Sequence, residues 1–115
     1  VDERIEKAFQ TANFMATLSN LRKTALEEYK QSLVYYFQGS SFTVSRELIV
    51  FVHTLTELGN TESIILDDNS IPLNITNLKE FLNSILNVYG LATNAYLAKY
   101  GDIKSKRRVE GLVEL

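Results

Sequence analysis

VDERIEKAFQTANFMATLSNLRKTALEEYKQSLVYYFQ, Val1–Gln38, contains no glycine and no proline. Apolar side chains recur through it at steps of three and four: Ile5, Ala8, Phe9, Ala12, Met15, Leu18, Leu21, Ala25, Tyr29, Leu33 and Tyr36. That spacing is the signature of one helix face, and it predicts a first helix over about residues 2–37, which would be roughly 50–55 Å long at 1.5 Å per residue. A compact domain of this size has a radius of gyration of about 13–14 Å. Either the helix bends at its weak point, Ser19-Asn20, or its early part, with Ile5, Phe9 and Ala12, needs a partner.

Gly39-Ser40-Ser41 supplies the break after this helix. Thr43 reads as the cap of a second helix over about 44–58, with Glu47 near its favourable dipole end and Gly59 past its last apolar residue. The run Leu48-Ile49-Val50-Phe51-Val52 also suits a buried strand, but the length and the end signals favour helix. Leu48, Phe51, Val52, Leu55 and Leu58 would then face inward, and Ile49 and Val50 would extend the apolar surface around the side.

Two β-prone runs, Ser63–Leu66 and Ile71–Ile75, flank Asp67-Asp68-Asn69-Ser70, and the expectation is a small hairpin over about 63–75. Pro72, the sole proline, belongs on an edge. Thr76 reads as the cap of a third helix over about 77–100 or longer, on the stripe Leu78, Phe81, Leu82, Ile85, Leu86, Tyr89, Ala92, Tyr96, Leu97 and Tyr100. A tail over about 102–115 follows. Gly90 marks either a bend or the close approach of a neighbouring backbone. Thr43-Val-Ser-Arg-Glu47 and Thr76-Asn-Leu-Lys-Glu80 share a Thr-x-x-basic-Glu pattern, which reads more simply as two good helix starts than as a duplicated unit. The predicted fold is therefore a mainly α single domain over 1–115: a three-helix bundle with a long first helix and a β-hairpin between helices 2 and 3.

Composition narrows the function. The 115 residues are 45% hydrophobic, ordinary for a packed domain, and the net charge of −2 gives no global attraction for nucleic acid or an anionic membrane. With no cysteine there is neither a disulfide nor a thiolate metal site. Apolar runs reach about five residues, against the ~20 a bilayer requires. With no leader-like segment visible, the expectation is a cytoplasmic protein, neither secreted nor membrane-bound.

No catalytic motif is present, and the expectation is a protein that is not an enzyme and uses no cofactor and no metal. His53 is the sole histidine, and a second His or a Cys that would complete a zinc site is absent. An enzyme reading would require a pocket that holds His53 with a carboxylate nearby. Asp67-Asp68-Asn69 lacks the spacing of a calcium loop and reads as a solvated turn. Asn74-Ile75-Thr76 matches a glycosylation sequon, which means little without a secretory signal. Val34-Tyr35-Tyr36-Phe37 with Phe42 is the aromatic concentration; it plugs a core more often than it stacks on bases or a partner, and Tyr35, off the helical stripe, is the ring to watch.

Three stretches, Tyr35-Tyr-Phe-Gln-Gly-Ser-Ser-Phe-Thr-Val-Ser-Arg-Glu-Leu48, Ile65-Leu-Asp-Asp-Asn-Ser-Ile-Pro72 and Lys104-Ser-Lys-Arg-Arg-Val-Glu-Gly-Leu-Val113, together resemble small proteins of T4-like phages of marine cyanobacteria. They cover around a third of the chain. The resemblance implies a viral origin, hence the cytoplasm of an infected host cell, and carries no site residues with it. The reading that follows is a homo-oligomeric association module that buries apolar faces of helices 1 and 2. Its candidate residues are Ile5, Phe9, Ala12, Ile49, Val50, Val109, Leu112 and Val113. The alternative is a nucleic-acid accessory protein that uses the basic cluster Lys104, Lys106, Arg107 and Arg108, whose simpler role is a solvated helix end.

Overall fold

The structure, a computed structural model, describes the backbone of residues 2–114 and the side chains of residues 2–106. Its elements run α1 (Glu3–Ser32), β1 (Val34–Phe37), β2 (Ser40–Thr43), α2 (Arg46–Glu57), β3 (Ser63–Leu66), β4 (Pro72–Ile75) and α3 (Leu78–Glu114). The mainly α class holds, with three helices, but there are two hairpins, one between α1 and α2 and one between α2 and α3.

The first helix stops at Ser32, five residues before the predicted end at 37. Val34-Tyr35-Tyr36-Phe37 is β-branched and aromatic, the composition that favours a pleated strand. It pairs antiparallel with Ser40–Thr43 in the register Val34↔Thr43 and Phe37↔Ser40. The two-residue loop has positive φ at both Gln38 (50°) and Gly39 (79°), as a type I′ hairpin turn demands. Gly39 is thus a hairpin residue and not a helix terminator. Ser19-Asn20 does not interrupt α1.

The second hairpin falls where expected, with Ser63 opposite Ile75 and Leu66 opposite Pro72. The Asp67 N–H donates to the Ile71 carbonyl at 3.0 Å. By antiparallel alternation Pro72 then occupies a pair that exchanges no ladder bond, which is why a residue without an N–H fits there.

Both later helices start after the predicted residue. Ser45, not Thr43, caps α2, its Oγ accepting from the Leu48 N–H at 3.1 Å. Asn77, not Thr76, serves α3: its Oδ1 accepts from the Glu80 N–H at 3.1 Å and its Nδ2 donates to Glu80 Oε2 at 3.3 Å. The first bond satisfies a helix-terminal backbone donor, and the second braces the two side chains against each other. The order hairpin then helix occurs twice, but the caps stand at different steps from Thr43 and Thr76. α3 continues through Gly90 and Gly101, so the stretch expected as a tail is helical to Glu114.

The chain divides into two compact units, one of residues 31–94 and one of residues 1–30 with 95–115. The first holds both hairpins, α2 and the beginning of α3. Its core is Phe42, Val44, Val52, Ile65, Ile75, Leu78, Phe81, Leu82 and Ile85. Phe81 is the hub: Phe42, Tyr35 and Phe37 meet it edge-on, with ring centroids at 5.2, 5.7 and 5.8 Å. In the second unit α1 and the later part of α3 run antiparallel. Tyr29 stacks on Tyr96 at 4.9 Å, Glu28 pairs with Lys99, and Leu18 and Ala25 are buried with Ile103. Among the described residues no buried cluster draws on all three helices.

Candidate association surface

The orientation of α2 decides which of its apolar residues are available. Val44, buried and bonded through its N–H to the Leu33 carbonyl at 2.8 Å, fixes how the chain enters the helix. From there Leu48, Ile49, Val52 and Leu55 turn toward the core, with Val52 fully buried. Phe51 and Leu58, expected inside, are instead 50% and 75% exposed, and Val50 is 62% exposed. Ile49, expected as an association residue, packs against the core.

Arg46, Glu47, Val50, Phe51 and Thr54 line an open depression of about 540 Å3. The Thr54 hydroxyl is satisfied inside the helix, donating to the Val50 carbonyl at 2.7 Å. Arg46 and Glu47 make no ion pair among the described residues, whose two ion pairs are His53–Glu57 and Lys99–Glu28. The depression therefore has an apolar centre flanked by one free cation and one free anion.

On α1, Ile5, Phe9 and Ala12 are all exposed. Lys104 and Lys106 are exposed on α3. Val109, Leu112, Val113, Arg107 and Arg108 lie outside the residues whose side chains are described. The outward aromatic of β1 is Tyr36, 76% exposed, and not Tyr35, which packs against Phe81. Strand alternation gives this directly once the segment is read as a strand. Ile64 and Leu66 on β3 are exposed as well, an aliphatic pair that the hairpin reading left unassigned.

The acidic turn is spent on structure. Asp67, only 7% exposed, accepts from the N–H groups of Asn69 and Ile71 at 2.8 and 2.9 Å. The Ile71 N–H, with help from the Ser40 hydroxyl and the Asn69 N–H, holds its carboxyl below the ordinary value against the opposing effect of burial. Asp68 accepts from the Thr43 N–H at 2.8 Å and donates its own N–H to the Ser41 carbonyl at 2.9 Å, closing the outer edge of β2. The solvated-turn reading thus fails for Asp67.

His53 is exposed, with Nε2 3.5 Å from Glu57 Oε1. Both residues line a cleft of about 740 Å3, so the arrangement that an enzyme reading requires, His53 in a pocket with a carboxylate nearby, is present, with both side chains exposed. No group of three or more metal-ligating side chains exists among the described residues, and no described helix is long and apolar enough to cross a membrane. No family model, curated protein or solved structure matches the chain.

Proposed function

We propose that this chain is a non-enzymatic association module that joins a second copy of itself through the outward face of α2, in a phage-like setting. The observation that carries the reading is the depression on that face. Val50 and Phe51 give it apolar area, and Arg46 and Glu47 give it both signs of charge with neither in an ion pair among the described residues. A two-fold interface needs a self-complementary patch, and a free cation beside a free anion around an apolar centre meets that need. Leu58 extends the apolar face toward the end of the helix. The phage-like setting rests on the resemblance of the three stretches quoted above.

Sedimentation equilibrium from low to high micromolar concentration tests this. The expected result is a mass that rises from one copy to two, and a single-copy mass at every concentration would overturn it. A mobility-shift titration at low salt addresses the basic cluster. Retention of DNA or RNA through Lys104 and Lys106 by a chain that stays monomeric would replace the association reading with the nucleic-acid one.

A further inference from the structure

Residues 8–21, the middle of α1, include no charged side chain in 14 positions, yet all of them except Phe14 and Leu18 are exposed. A helix side that faces water ordinarily carries charge. Two seams at alternating steps of three and four run through this segment. Phe14, Leu18 and Ala25 belong to the first, and α3 covers it with Tyr96 and Ile103. The second is Ile5, Ala8, Ala12, Met15, Ser19 and Arg22, about a quarter turn round the helix at 3.6 residues per turn. Ile5 is 52% and Met15 48% exposed, and Phe9, on the flank of this seam, is 66% exposed. Seams of this period are what paired helices interdigitate, one for each neighbour. Among the described residues only the first of the two is filled within the chain.

The charges decide how a second helix can lie in the free seam. Arg22 closes that seam, partly buried, and its Nε is buried with no hydrogen-bond partner among the described residues. Lys23 follows on the flank. A parallel copy of α1 in register would set Arg22 on Arg22 and Lys23 on Lys23. An antiparallel copy that crosses between Ala12 and Met15 sets Ala12 against Met15, Ala8 against Ser19 and Ile5 against Arg22, each pair made twice about a two-fold axis. In that register Asp2 of one copy lies on the flank that carries Lys23 of the other, Phe9 meets Ala16, and Glu3 and Glu6 lie away from the contact. The Asp2 carboxylate caps α1 through Oδ1, which accepts from the Arg4 N–H at 2.9 Å, and a carboxylate so engaged still has acceptor capacity for a cation. Opposite charges meet at the two ends, and the uncharged middle meets itself.

We propose that α1 pairs antiparallel with α1 of a second copy across this seam. The facing stretch from Ile5 to Arg22 is about 27 Å long. Covering half the circumference of two helices of that length, each about 11 Å across, buries roughly 900 Å2, short of the about 1,200 Å2 at which stable interfaces begin. Seating Arg22 in the contact adds a desolvation cost. This is therefore a weak contact that fills near millimolar protein, above the range in which the α2 face dimerises. Two separate two-fold faces on one chain carry assembly past the dimer. The proposal stands whether or not α2 is a contact.

The chain has no cysteine, so single introduced cysteines report the register. Ala8 and Ser19 are both exposed and suit the purpose. Mild oxidation of a mixture of Ala8→Cys and Ser19→Cys chains at about 0.5 mM should give mainly the mixed, disulfide-linked dimer. Ala8→Cys alone should give little, because the two copies of residue 8 stand about 16 Å apart along the axis. Adding Phe51→Asp removes the α2 contact and should leave the cross-link in place. Ala12→Glu in that background should reduce the cross-link at least about tenfold, since it puts an unpaired charge at the crossing point. It should also lower the sedimentation mass toward one copy, with the circular dichroism spectrum unchanged. Ala8→Cys linking to itself as readily as to Ser19→Cys, no cross-link at the highest concentration, or an undiminished cross-link in a folded Ala12→Glu chain would each overturn the proposal. So would capture of the uncross-linked chain by phosphatidylcholine–phosphatidylglycerol vesicles that Ala12→Glu abolishes, which would assign the face to lipid.

Discussion

Replacing Phe51 by Asp separates a surface role from a core role at one residue. A phenylalanine buries about 150–250 Å2 when fully covered, and Phe51 is half exposed. A partner therefore removes roughly 100 Å2 of it from water, worth about 2.5 kcal/mol at 25 cal/mol per Å2. In a two-fold dimer the substitution is present twice, so about 5 kcal/mol of association is lost, which is between three and four decades in Kd. The carboxylate adds a desolvation cost that deepens the loss. Phe51 is not among the residues packed on the core, so the fold should lose only about 1 kcal/mol. Val52→Asp, one position along and fully buried, should abolish folding instead. Sedimentation equilibrium reads the first effect and circular dichroism with thermal melting reads the second. A Phe51→Asp chain that dimerises as well as the parent would refute the placement of the interface. One that unfolds would refute the orientation of α2.

Phe81→Ala removes the ring on which Phe42, Tyr35 and Phe37 converge and should cost about 3–5 kcal/mol in urea unfolding; a loss under about 1 kcal/mol would contradict its place as hub. Because the folded carboxyl of Asp67 titrates below its ordinary value of 3.8, its stabilisation is complete above about pH 4 and is lost as pH falls through the folded value. A melting profile from pH 6 to 2 should therefore show an acid decline that is shallower in Asp67→Asn. Nothing lies within 4 Å of a methyl group built on Gly90, inside α3. Gly90→Ala should accordingly raise stability by about 0.5–1 kcal/mol, read as a higher melting temperature, where a crowded backbone would have lowered it.

The two long helices and the second hairpin were legible because each rests on a local signal: stripes at steps of three and four, or β-prone runs around four turn formers. The first hairpin was hidden by the helix that precedes it. Leu33 and Tyr36 continue the helical stripe of α1, so helical phase carries over into a segment whose β-branched and aromatic composition, with Gln38-Gly39 between its halves, is that of a hairpin. The misplacement of Tyr35 and Tyr36 follows, since a strand turns alternate residues over and a helix does not. The burial of Asp67 was not legible because its partners include Ser40, 27 positions earlier in the chain, brought there only when both hairpins form.

The orientation of α2 is a different kind of failure, and it bears on function. A helix that is apolar on one side and polar on the other announces its inward face. From Leu48 to Val52 every residue is apolar, so the pattern fits an inner stripe through Phe51 and Leu58 as well as one through Ile49 and Val52. The second is the one observed, on a helix entered through the buried Val44, whose N–H is held by the Leu33 carbonyl. The ambiguity exists because the outward positions are apolar too, and those positions, Val50, Phe51 and Leu58, form the surface proposed to meet a second copy. Were the outer face polar, the sequence would have revealed the phase of α2 and there would be no apolar surface for a partner to cover.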